Sequence, residues 1–243
     1  MGAAAAAGIA DVPVGRRPRV VVLSTGTELR ASGERLEAGQ IYESNGPMLA
    51  AAFEAAGAIV ERLGPVVDDE IEHRRALERG LEADVLVSSG GVSVGPHDLV
   101  RRILAELGVE EDFWGVAVRP GKPLAFGTRA DTLVFGLPGN PVSSLVAVEL
   151  FVRPALLALQ GAADPGPHYA RAALGTSIRR NPRRDQLSRA RSRVDPDGAV
   201  VLEPLSGQES HMIARAAGAD ALVLVPAGEG ELAAGDAVRY LRL

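Results

Sequence analysis

Two short runs, Arg19-Val20-Val21-Val22-Leu23-Ser24 and Asp84-Val85-Leu86-Val87-Ser88-Ser89, constrain the fold of this chain more than any other feature. A strand with one face in water alternates apolar and polar residues. These runs do not alternate, so both faces of the strands they form must be covered, as in a parallel sheet flanked by helices. The spacing predicts helices over Asn45 to Gly57, Asp69 to Leu81 and Asp98 to Leu107, with a further strand over Ala58 to Leu63. Asn45 suits an N-cap, Pro47 a first turn and Gly57 a helix end. The second helix opens with acids and carries its bases later, as the helix dipole favours. This βαβαβα alternation predicts a three-layer α/β fold on a mostly parallel sheet.

Beyond Gly108 the rhythm changes. Val116 to Val118, Leu124 to Phe126 and Thr132 to Phe135 read as short strands, some of them antiparallel. Pro141 to Gln160 reads as a long helix, apolar almost all round and therefore buried or at an interface. The Gly-, Pro- and Asp-rich stretch Gly161 to Pro167 reads as a domain boundary. Ala170 to Leu174, Gln186 to Val194, Ala199 to Glu203, Ala221 to Val225 and Ala237 to Leu243 then read as strands, with a helix only at His211 to Ala217. The expected division is a lead-in over 1–17, an α/β domain over 18–161 and a small all-β, barrel-like domain over 168–243.

Composition excludes several chemistries. The 243 residues contain no cysteine, which rules out thiol catalysis, iron–sulfur clusters and cysteine-ligated zinc. A net charge of -5 argues against nucleic acid as a partner. No uncharged run of 18 apolar residues appears, so no membrane span is expected. The alanine-rich start lacks the basic region of a signal peptide, and the expected location is the cytoplasm. Lys122 is the only lysine among arginines.

Ligands of open α/β sheets bind beyond the carboxyl ends of the strands. Three such ends carry polar loops: Ser24 to Glu28 with Thr25 and Gly26, Val67-Asp68-Asp69, and Ser88 to Asp98 with Ser89, Gly90, Gly91 and Ser93. A fourth loop, Gly136 to Pro141 with Pro138, Gly139 and Asn140, precedes the long helix. Small residues ahead of a helix start let backbone N–H groups approach an anion, although a plain strand-to-helix turn looks the same. Neither a dinucleotide fingerprint nor a P-loop is present. Glu28, Asp68, Asp69 and Asp98 would converge on one cleft, where like charges need a cation and oxygen ligands suit Mg²⁺. Helix capping is the competing reading for Asp69 and Asp98. Arg119 and Lys122 could neutralise an anion, or form a solvated basic turn. The four histidines show no metal-ligand spacing.

Taken in order, these loops resemble one family. Ser24 to Leu29, Glu43-Ser44-Asn45, Val67 to Asp69, Ser88 to Gly95, Pro120 to Pro123 and Gly136 to Ser143 are similar to the MoeA-type molybdopterin molybdenumtransferases. Arg183 to Arg189 and Gly207 to Met212 resemble that family's C-terminal β domain. The resemblance implies insertion of molybdate into adenylylated molybdopterin, with Mg²⁺-dependent hydrolysis of the adenylate. Ser89, Gly90, Gly91 and Ser93 would then hold the phosphate, with Thr25, Gly26, Gly139 and Asn140 also binding substrate. Glu28, Asp68 and Asp98 would position Mg²⁺ and the oxyanion. Arg119 and Lys122 would counter the anions, Pro138 and Pro141 would shape the floor, and Ser210 would reach in from the β domain. It also implies a homodimer and an upstream adenylyltransferase as partner. Thr27 stands where the family often has Asp, Arg119 where many members have Lys, and Gly115 where some have Lys; the family's further N-terminal region has no counterpart here. The alternatives are a molybdopterin adenylyltransferase-like enzyme and a non-catalytic molybdopterin-binding scaffold.

Overall fold

The computed structural model describes residues 1–91 and 99–243. In chain order the first part runs α1 (Gly2–Ala6), β1 (Arg19–Thr25), β2 (Leu29–Arg30), β3 (Ile41–Tyr42), α2 (Asn45–Ala55), β4 (Ile59–Val66), α3 (Glu70–Gly80), β5 (Val85–Ser89), α4 (Leu99–Glu106), β6 (Glu110–Trp114), β7 (Val118–Arg119), β8 (Ala125–Arg129), β9 (Thr132–Leu137), α5 (Pro141–Ala147) and α6 (Arg153–Leu159). The remainder contributes β10 (Ala170–Leu174), β11 (Ile178–Arg179), β12 (Asp185–Val194), β13 (Val200–Pro204), α7 (Ile213–Ala216), β14 (Ala221–Val225), β15 (Glu231–Leu232) and β16 (Ala237–Arg242).

The main sheet has the order β4-β1-β5-β9-β8-β6. Its first four strands are mutually parallel, and β8 and β6 add antiparallel at one edge. Along β1 the side chains separate by parity. Val20 and Val22 pack with Leu49, Phe53, Val148 and Val152 on one face. Val21 and Leu23 pack with Leu77, Leu86, Val100 and Ile103 on the other. Both faces are thus covered, as the unbroken apolar runs require. Each fully buried Leu or Phe here contributes about 1.5–3 kcal/mol. Asp69, the N-cap of α3, accepts from the amides of Ile71 and Glu72 at 3.0 Å each, as its capping reading anticipates.

Two expectations need correction. Asn45 is not the cap of α2: Ser44 holds that position without a side-chain cap bond, and Asn45 begins the helix proper. The helix expected over Pro141 to Gln160 is interrupted by a π turn, Val148–Val152. Pro154 supplies the reason, because it has no N–H for the carbonyl four residues back. Pro141–Leu159 is also long and apolar enough to cross a membrane by length and composition, since only Glu149 and Arg153 interrupt it. In this fold half of its apolar window is buried, with Val146 facing the second domain and Ala147, Val148, Val152 and Leu156 facing the sheet.

The second domain is a closed five-strand barrel, β13-β10-β16-β14-β12, sealed by pairing of β12 with β13. Its interior is apolar, built from Leu174, Ala190, Leu202, Val223, Val225 and Tyr240. Outward-facing Leu187, Leu222, Leu224 and Leu241 pack on Val146 of α5. Strand β7 leaves the first domain to pair in parallel with β12, through Val118↔Asp185 and Arg119↔Gln186.

The lead-in is anchored by two arginines. Arg17 donates to the carbonyls of Gly57 and Ala58 at 2.8 and 2.7 Å. Arg16 forks onto both oxygens of Asp84 at 2.7 and 2.8 Å, and the Arg19 amide donates to the same carboxylate at 2.6 Å. These donors, Arg16 first, hold the Asp84 carboxyl below the ordinary carboxylate range, against the opposing effect of burial. A depressed carboxyl contributes stability that is present above its unfolded pKa and lost as pH falls through the lower folded value. Asp84→Asn is therefore expected to melt below the parent at pH 7, with the gap closing in acid below pH ~3. Thermal melts across pH check this, and a gap unchanged by acid would refute it.

Candidate active site

The parallel strands β1, β5 and β9 end side by side, with Ser24 opposite Ser89 and Ser89 opposite Leu137. Their loops and the end of β4 surround a cleft of about 1170 Å³. It takes in Thr25, Gly26, Glu28, Asp68, Ser89, Gly90, Gly91, Gly139, Asn140 and Pro141. Ser93 and Asp98 lie outside the described residues.

Backbone geometry explains the small residues. Gly90 has φ +92, and a Cβ there would sit 2.8 Å from the Thr25 carbonyl oxygen. Its amide donates to the Leu137 carbonyl at 3.2 Å, which ties two loops together. A Cβ on Gly26 would fall 2.8 Å from a carboxylate oxygen of Glu28, so the missing side chain lets Glu28 fold over the loop. Gly46 plays the same part for Glu43, whose Oε1 accepts the Gly46 amide at 2.6 Å.

The remaining expected residues lie off the lining. Pro138 is buried beneath the loop, where its carbonyl accepts the Ser144 hydroxyl at 2.5 Å. Ser210 stands at the rim, its carbonyl accepting the Val142 amide at 3.1 Å on the first turn of α5. Its neighbours His211 and Ile213 do line the cleft, so the barrel domain forms one wall. Arg119 and Lys122 are exposed and do not line it: Arg119 is carried by β7 to the edge of the barrel, and the Lys122 carbonyl is bonded by the amides of Val116 and Leu124.

Residue-type reasoning missed several lining residues. Tyr42, Glu43, His73 and Asn45 all face the cleft. Asn45 suits a cap by sequence, yet it is 8% exposed and its side chain donates to Ser89 Oγ at 2.7 Å and to the Gly139 carbonyl at 2.8 Å. His73 is 1% exposed, with Nδ1 2.9 Å from the Asp69 carbonyl. It shares the buried face of α3 with Leu77 and Gly80, a spacing legible in the sequence.

The electrostatics of the lining are one-sided. Among the described residues it holds Glu28, Glu43 and Asp68 and no arginine or lysine. No group of three or more histidine or acidic side chains poised for a metal occurs among them. Glu28 and Asp68 have no ion-pair partner among the described residues, whereas ten pairs are formed elsewhere. Two carboxylates without ion-pair partners among the described residues therefore give this wall of the cleft its negative charge, opposite the glycine-lined loop.

Comparison with known proteins agrees with this architecture. Residues 21–158 match the family described as "Probable molybdopterin binding domain", and residues 171–243 match "MoeA C-terminal region (domain IV)". The chain is 40% identical over 244 residues to molybdopterin molybdenumtransferase 2 of Mycobacterium tuberculosis, covering 97% of this chain and 59% of the relative. It is 34% identical to the molybdopterin molybdenumtransferase of Haemophilus influenzae, covering 96% of this chain and 58% of that one. The molybdopterin biosynthesis MoeA protein of Pyrococcus horikoshii superposes with a TM-score of 0.77 at 31% identity, over 93% of this chain and 55% of that structure. The chain thus spans little more than half the length of the relatives it matches. Its parallel sheet with polar strand-end loops, its closed barrel forming one wall of the cleft, and both domain matches place it in the MoeA family of molybdopterin molybdenumtransferases.

Proposed function

We propose that this chain carries the molybdate-inserting site of molybdenum cofactor synthesis, acting on adenylylated molybdopterin. The observation that carries the reading is the cleft at the β1, β5 and β9 ends, acidic on one side and lined with glycines and serines on the other. In this reading Ser89, Gly90 and Gly91, continued by Ser93, bind the phosphate, with Thr25, Gly26, Gly139 and Asn140 against the rest of the ligand. Glu28 and Asp68, with Asp98, hold Mg²⁺, which when bound offsets negative charge on phosphoryl oxygens during hydrolysis of the adenylate. The carboxylates orient the attacking water. Arg119 and Lys122, which stand outside the cleft lining, would act as longer-range counter-charges from the loop seated beside α5, where the Cβ position of Gly121 is 3.5 Å from the Ser143 carbonyl. Pro138 and Pro141 stiffen the floor, and Ser210 meets the ligand at the rim. A homodimer and an adenylyltransferase that supplies the substrate belong to the same reading. The barrel and the Gly136 to Pro141 loop favour it over adenylyl transfer.

The test is single-turnover molybdate insertion by the purified chain with adenylylated molybdopterin and Mg²⁺. Asp68→Asn should slow insertion by about a hundredfold or more, the effect of removing a few kcal/mol of charge stabilisation. Chelation should do the same to the parent. Binding without insertion would place the missing chemistry outside this chain, while absence of any molybdopterin binding would overturn the proposal.

A further inference from the structure

Asn45 has one end committed and one end free. Both hydrogens of its Nδ2 are used, on Ser89 Oγ and on the Gly139 carbonyl. A carbonyl can only accept, so this contact fixes which end of the amide is nitrogen. The other end, Oδ1, is buried with no hydrogen-bond partner among the described residues. Asn45 lines the cleft, so a buried acceptor without a partner borders the proposed ligand site. Leaving such an atom unpaired is unfavourable, and a ligand that supplies a donor removes the penalty.

The same contact settles the role of Ser89. Its oxygen already accepts from Asn45, which leaves the hydroxyl hydrogen free to donate. Asn45 and Ser89, both of which line the cleft, therefore hold between them one uncommitted donor and one uncommitted acceptor. A bare oxyanion such as molybdate or fully ionised phosphate has acceptors only and satisfies half of this pair. A phosphorylated organic molecule with an N–H or O–H near its phosphate satisfies both.

We infer that Asn45 is a specificity-determining residue, its Oδ1 taking a hydrogen bond from an N–H or O–H of the organic ligand while its Nδ2 holds Ser89 as a donor. The inference rests on the functional reading above, since molybdopterin is a ligand of this class. It separates recognition of the organic part from recognition of the anion, and no cap or packing role for Asn45 would do so.

The experiment measures the affinities of molybdopterin and of sulfate, a tetrahedral anion that carries no donor at neutral pH, for the parent protein, Asn45→Ala and Asn45→Ser, with thermal melts to verify folding. Serine keeps a small polar side chain at the start of α2 without the amide carbonyl, so it serves if the alanine variant is unstable. The expected result is a loss of about tenfold or more for molybdopterin, with sulfate changed less than about threefold. Equal losses for both ligands would make Asn45 a loop tie only and overturn the inference, as would no loss for either. If the parent binds sulfate but not molybdopterin, the functional reading itself fails, an outcome recognisable before any variant is made.

Discussion

Arg189→Met is expected to destabilise the protein by about 3 kcal/mol or more and to loosen the barrel's wall of the cleft. Arg189 lies on β12, 1% exposed, and its guanidinium donates to the carbonyls of Gly207, Glu209 and Met212 at 2.6, 3.3 and 2.9 Å. Gln208 completes the tie, accepting the Arg189 amide at 3.0 Å and donating to its carbonyl at 2.8 Å. Burial pushes the guanidinium below its ordinary pKa, opposed by the nearby Glu209, yet an arginine remains charged at neutral pH. Methionine would fill much of the volume while leaving three carbonyls to find new partners, each at about 1–3 kcal/mol if none is found. The loop released is the one that carries Ser210, His211 and Ile213. Denaturant unfolding and hydrogen exchange over 207–213 would measure both effects. Arg189→Lys should fail to restore the loop, because an ammonium cannot span three divergent carbonyls. Full rescue by lysine would show that charge, and not the fork, is what matters.

Gly90→Val should reduce ligand affinity by about a hundredfold while leaving the sheet intact. A residue at φ +92 with a side chain is strained, and the β-branched Cβ would press on the Thr25 carbonyl oxygen at 2.8 Å. Relief requires the β1 and β5 loops to move apart, and displacements near an ångström cost about that factor in a preorganised site. Far-ultraviolet circular dichroism and a binding titration suffice. Unchanged affinity would mean that these loops bind nothing in concert.

Much of this was legible in the sequence, for identifiable reasons. The runs at Val20 to Leu23 and Val85 to Val87 had to be buried on both faces, and the rule that ligands lie at the carboxyl ends of parallel strands then drew Thr25, Gly26, Ser89, Gly90 and Gly91 to one edge. Strand β6 escaped notice because Glu110-Glu111-Asp112-Phe113-Trp114 is an exposed edge with no apolar pattern to read. The two-residue ladder of Leu29–Arg30 with Ile41–Tyr42 is too short to leave a period. Arg119 and Lys122 were expected at the cleft because positive charge suits an anionic ligand. The β7–β12 pairing, which determines where that loop goes, depends on residues 67 positions apart (Val118 with Asp185) and has no local signature. Asn45 shows a different limit. An Asn ahead of an apolar helix is the usual sign of a cap, and only the tertiary placement of Ser89 and Gly139 makes it a hub.

The short strand Val118–Arg119 also bears on how the chain is made. During synthesis the main sheet can close as soon as β9 has emerged, but β7 then remains an unpaired edge until Asp185 and Gln186 leave the ribosome. For that interval the nascent chain exposes backbone donors and acceptors, together with the apolar side of α5 that later meets Leu187, Leu222 and Leu241. Pairing with β12 covers the edge first and completion of the barrel then covers α5, so finishing the second domain ends the first domain's exposure to aggregation.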